Sequence, residues 1–129
     1  LVSSMPGPED QLLEGELHQY LRAAVSSLPD RLRIVVTRCF LEGHAVADVA
    51  RDLEVTESRI SQLRSEALLL IKDGINSHLA PEQVPAATRP GGAVDRRRAA
   101  YFAAIAEHRL NALAHQPAAA SLEETRHAV

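Results

Sequence analysis

Apolar residues recur along most of the chain at steps of three and four, and β-branched alternation is scarce, so the pattern predicts helices rather than sheet. Leu13, Leu17, Leu21, Ala24 and Leu28 form one stripe and predict a helix from about Pro8 to Ser26. Pro8 suits its first turn, and Glu9, Asp10 and Glu14 lie near the positive end of its dipole. A second helix is expected from about Pro29 to Glu42, closed by Gly43, with Leu32, Val35, Val36, Cys39 and Phe40 on its buried face. A short third helix, Val46 to Leu53, turns Val46, Val49, Ala50 and Leu53 inward. A fourth begins after Thr56, a candidate N-cap, and runs to about His78 with Ile60, Leu63, Ala67, Leu70 and Gly74 on one face.

Pro81, Pro85, Pro90, Gly91 and Gly92 mark residues 80–94 as a linker. Another helical stretch is expected from about Asp95 to Ala114, stopped by Pro117, with a thin stripe of Phe102, Ala106, Leu110 and Leu113. Arg96, Arg97 and Arg98 sit at its N-terminal end, where the dipole disfavours cations. This helix could be disordered, fold back over the bundle or serve as a partner handle. The expected fold class is all-α: a four-helix bundle containing a helix-turn-helix, plus a separate C-terminal helix. The expected domains are 1–79 for the bundle, 80–94 for the linker, and 95–129 for a helix and tail of unassigned role.

The stretch that carries chemistry is VADVARDLEVTESRISQLR, residues 46–64. A short helix with the small Ala50 at its packing point, a tight turn and a capped second helix make the helix-turn-helix plan. Val55 plugs the angle, while Ile60 and Leu63 seat the second helix. Ser58, Ser61, Gln62 and Ser65 then face outward, flanked by Glu57 and Arg59. Short or planar hydrogen-bonding groups suit base edges and phosphates in a major groove. The competing interpretation is a plain helical bundle with a polar surface. Two positions fit the plan badly: Ala45 offers no side-chain cap, and Glu54 stands where a turn favours glycine. Leu69 lies nearly opposite Ile60 and Leu63, as a lone exposed leucine or a contact for a partner or the C-terminal helix.

Composition narrows the partners. The 129 residues are 46% apolar and 24% charged, which suits a globular chain. Tyr20, Phe40, Tyr101 and Phe102 are too few for a binder that stacks bases on aromatic platforms. The net charge of −3 is spread as four acids and one Arg in 1–27, eight acids and seven bases in 28–80, and five acids and six Arg in 81–129. No segment is broadly basic, so DNA contact must rest on a few placed groups or on help from a larger partner. No membrane span is expected. Cys39 is the single cysteine, which excludes an internal disulfide and suits a reducing cytoplasm. The six histidines read as solvated rather than as metal ligands, and neither a nucleophile–base pair nor a phosphate loop occurs, so no cofactor, metal or enzymatic activity is expected. The first residue is Leu1 rather than Met, from which an excerpt of a longer protein is expected.

LPDRLRIVVTRCFLEG (28–43) and LEVTESRISQLRSEAL (53–68) carry a resemblance to a known family. From about Glu9 to Leu79 the chain resembles region 4, the C-terminal domain, of bacterial RNA polymerase sigma factors, nearest the flagellar and sporulation type of alternative sigma factor. The ESRISQL string is the most specific part; Glu54 occurs in some members, and Ala45 departs from the polar cap often seen there. The resemblance implies recognition of the promoter −35 element by Glu57, Ser58, Arg59, Ser61 and Gln62, with Arg64 and Arg51 as phosphate partners. It also implies docking of the polymerase β-subunit flap on the first two helices, and competition there by an anti-sigma factor. The alternative is the helix-turn-helix DNA-binding output domain of a response regulator, which would bind DNA as a free dimer. A further alternative is an interaction module for an anti-sigma protein, with an idle DNA face.

Overall fold

A computed structural model describes residues 7–128, with the side chains of Asp10, Leu13 and residues 115–128 outside the description. Its helices are α1 (Pro8–Ser26), α2 (Asp30–Val36), α3 (Val46–Leu53), α4 (Glu57–Leu79) and α5 (Ala93–Ala128). No strand occurs among the described residues. A π-helical turn, Thr37–Leu41, prolongs α2, and a 3₁₀ turn, Pro81–Gln83, follows α4.

One core joins all five helices. Ala24 of α1, Leu28 just beyond it, Val35 of α2, Val49 and Ala50 of α3, Ile60, Leu63 and Ala67 of α4, and Tyr101 and Ile105 of α5 are buried together. Burying side chains of this size contributes roughly 1.5–3 kcal/mol each for the larger ones.

Three stripes differ from the sequence expectation, each for a packing reason. On α1 the buried residues are Tyr20, Ala23 and Ala24, while Leu17 and Leu21 are exposed. α1 receives α5 as well as the bundle, and that contact turns the Tyr20–Ala23 side inward; Leu13 lies outside the described side chains. On the second helix Phe40 is exposed rather than buried. The wider π turn, with Glu42 N–H bonded to Thr37 O at 2.9 Å, shifts the register and swings Phe40 outward. On α5 the buried residues are Tyr101 and Ile105, one position before the expected stripe, and Leu110 and Leu113 are exposed.

α5 is therefore not independent of the bundle. The Tyr101 hydroxyl donates to Ala24 O at 2.8 Å, in the body of α1. Burial pushes the Tyr101 phenol well above its ordinary range. Gly74 makes the approach possible: a Cβ there would stand 2.5 Å from Ile105 Cδ1 and 2.8 Å from Tyr101 Cε2. Arg109 lies over the Tyr20 ring at 3.8 Å, and Tyr20 stacks with His78 at 5.6 Å between centroids. Of the three fates open to this helix, folding back over the bundle is the one observed for its first half. α5 also continues through Pro117, where a stop is expected; the alanine-rich flanks favour helix on both sides of the proline.

Candidate nucleic-acid interface

The turn between α3 and α4 is set by its own seven residues. Val55 N–H bonds to Ala50 O at 3.0 Å, and Glu54 N–H to Arg51 O at 3.2 Å. This pair of bonds is a Schellman closure, which satisfies carbonyls left open at the helix end. It requires a left-handed residue, and Glu54 takes it at φ 58°. Val55 follows partly buried against the core, in contact with the small Ala50 end of α3. Thr56 then caps α4, its Oγ1 accepting from Arg59 N–H at 3.0 Å. Glu57 occupies the first turn, where a carboxylate complements the dipole. Ala45, at the start of α3, makes no side-chain cap.

Ile60 and Leu63 point into the core, at 0% and 3% exposure, and fix the rotation of α4. Glu57, Ser58, Ser61, Gln62 and Ser65 are consequently exposed. The polar face thus stands free at the N-terminal end of α4. Arg59 is exposed on one flank, and its guanidinium donates to Gln62 Oε1 at 3.4 Å. Arg64, on the other side, is half-buried with its guanidinium 5.4 Å from the centroid of the Phe40 ring. That contact restrains Arg64, so it is less free to reach a phosphate than Arg59 is. Arg51 pairs with Asp48 within α3. Arg38 of the π turn reaches Asp52 of α3 at 2.7 Å, which ties the second helix to the helix-turn-helix unit.

A groove of about 1250 Å³ runs along the Arg59 flank. Arg59, Glu66, Leu69 and Asp73 of α4 line one side, and residues 85–89, 92–95, 97 and 98 line the other. Leu69, 56% exposed, is thus a groove wall facing the linker and the start of α5. Ser58, Ser61 and Gln62 lie outside the groove lining, so the C-terminal segment flanks the polar face without covering it. Sequence reasoning missed this groove and the buried carboxylate of Asp73. The signal available was the arginine triplet at an unfavourable helix end. Asp95 partly offsets it, accepting from Gly91 N–H at 2.8 Å and lying 3.7 Å from Arg98.

Among the described residues no group of three or more His, Cys, Asp or Glu could hold a metal ion, and no helix is long and apolar enough to cross a membrane.

The family model for Sigma-70, region 4 matches residues 24–73, a narrower stretch than the resemblance drawn over 9–79. Among curated proteins the chain is 44% identical over 61 residues to RNA polymerase sigma factor FliA of Salmonella typhimurium, covering 47% of this chain and 26% of that protein. It is 37% identical over 70 residues to FliA of Yersinia enterocolitica, covering 54% and 30%. It is 39% identical over 61 residues to FliA of Escherichia coli K12, covering 47% and 26%. The chain thus spans less than a third of the length of these relatives. The family model and these relatives are all sigma-factor sequences. No solved structure matches the chain.

Proposed function

We propose, from the premise that residues 24–73 are a sigma-70 region 4 domain, that this chain reads the promoter −35 element in transcription initiation. The observation that carries the proposal is the free polar face at the start of α4: Ser58, Ser61 and Gln62 are exposed while Ile60 and Leu63 are buried. Gln62 suits a bidentate bond to adenine and Arg59 to guanine, while Glu57 suits a cytosine amino group. Ser58 and Ser61 serve bases or phosphates, and Arg64 serves phosphate if it leaves Phe40.

The partners are promoter DNA and RNA polymerase, and the working place is the cytoplasm. Exposed Ile34, Phe40 and Leu41 on α2 and its π turn supply apolar surface for the polymerase β-subunit flap or for an anti-sigma factor. This role is one of binding and positioning, with no enzymatic step. A chain of net charge −3 needs such help. Tethering by polymerase raises the effective concentration of the domain over the promoter without adding contacts.

The test is titration of the isolated chain against a −35 duplex at two salt concentrations. Weak binding that falls steeply with salt is expected. Tight, salt-insensitive binding would contradict the reading.

A further inference from the structure

The groove on the Arg59 flank of α4 belongs to no part of the helix-turn-helix unit alone. One of its walls is the linker and the start of α5, which lie beyond the family match. Its rim carries exposed Arg31, Arg59, Arg89 and Arg97. Arg31 and Arg89 make no ion pair with any described residue, and Arg97 bonds only its own helix, Nε to Ala93 O at 3.3 Å. Arg98 is different: it donates to Pro85 O at 2.8 Å and so holds the linker to α5. Arg89 and Arg97 therefore stand on a segment that is itself anchored, by Arg98 to the linker and by Tyr101 to α1, while Arg31 stands opposite on α2.

Position selects the occupant. A helix lying in a major groove, about 12 Å wide, has a sugar–phosphate strand on each flank. If Ser58, Ser61 and Gln62 meet base edges, the strand beside Arg59 runs along the groove that the C-terminal segment walls. We propose that residues 85–98 form a second DNA-contacting element, an arm whose Arg89 and Arg97, with Arg31 opposite, clamp the phosphates of the strand passing the Arg59 flank. The arm strengthens binding to any duplex and carries no sequence information, because phosphate contacts position and base contacts specify. The proposal rests on the promoter-reading role above.

The experiment compares the full chain with an Arg89→Ala/Arg97→Ala variant. Both side chains are exposed, and an unchanged thermal transition by circular dichroism verifies the fold. Each protein is titrated over a salt series with a random-sequence duplex and with a duplex selected from a random pool by the wild-type chain. Losing two phosphate contacts predicts a slope of log affinity against log salt shallower by about 2. The weakening is expected to be equal on both duplexes, leaving the preference for the selected sequence intact. An unchanged slope with the wild-type preference intact overturns the arm and leaves promoter reading standing. No wild-type preference for any duplex overturns both. A third titration uses polyglutamate: binding that the double variant loses, with DNA slopes unchanged, overturns the DNA assignment in favour of an acidic protein partner.

Discussion

The turn joining α3 to α4 and the seam joining α4 to α5 draw on opposite kinds of information. At the turn, the closing and capping hydrogen bonds each join residues a few positions apart: Val55 to Ala50, Glu54 to Arg51, Arg59 to Thr56. At the seam, Gly74 meets Tyr101 and Ile105, and Tyr101 reaches Ala24, 77 residues away. Local chemistry is written in consecutive letters, whereas a distant contact depends on which turn of one helix happens to fit a notch in another. The first carries the polar face proposed to read DNA; the second places the proposed arm beside it.

The largest effect should come from the element both regions share. Ile60→Ala removes a fully buried side chain at the start of α4, and a loss of about 2–5 kcal/mol is expected in chemical denaturation. Because Ile60 fixes the rotation of the polar face, DNA binding should fall with it.

Gly74→Ala separates the two regions. Alanine favours helix by about 1 kcal/mol over glycine, but its Cβ cannot fit against Ile105 and Tyr101 without movement. Overpacking of this kind costs about 1–3 kcal/mol, and α5 should loosen while α3 and α4 hold. Hydrogen exchange should then accelerate in residues 93–110 and stay slow through the helix-turn-helix. Equal acceleration in both would merge them into one cooperative unit.

Tyr101 makes the seam pH-dependent. Burial raises its folded-state value above that of the unfolded chain, whose phenol ionises near pH 10. The unfolded chain therefore loses the proton first. The seam's contribution is complete below about pH 10 and declines as pH rises through the alkaline range. Tyr101→Phe should flatten that decline in a stability–pH profile, at the expense of the hydrogen bond to Ala24, worth about 0.5–1.5 kcal/mol. An unchanged profile would remove Tyr101 as its source.

The smallest effect belongs to the turn. Glu54 holds a left-handed conformation that costs an L-residue about 1–2 kcal/mol. Glu54→Gly relieves that strain at an entropic cost, so a gain of up to about 1 kcal/mol in thermal stability is expected. A loss would mean the carboxylate does more at that position than cap the helix.

These contrasts explain what could be read in advance. The bounds of α1 and α3, the Thr56 cap, the strained Glu54 and the outward face of Ser58, Ser61 and Gln62 follow from local pattern and capping chemistry. Phe40 did not, because a π turn shifts the register without a sequence marker as clear as proline. The α1 and α5 stripes differ from the expected phase because Tyr20, Ala23 and Ala24 on α1, and Tyr101 and Ile105 on α5, are buried in place of the leucines. Gly74 was visible as a glycine within a helix, yet its reason for being there lies in α5. Arg96–Arg98 stood out as an anomaly of the dipole, but only the fold brings that region beside Arg59.

The most direct measurement is discrimination by the reading face. A duplex selected from a random pool by the wild-type chain is compared with a shuffled version of itself, for the wild-type protein and for Gln62→Ala. The account predicts that the variant keeps its thermal stability and loses about 1–3 kcal/mol of the preference. An undiminished preference in Gln62→Ala, with Arg59→Ala equally unaffected, would contradict it.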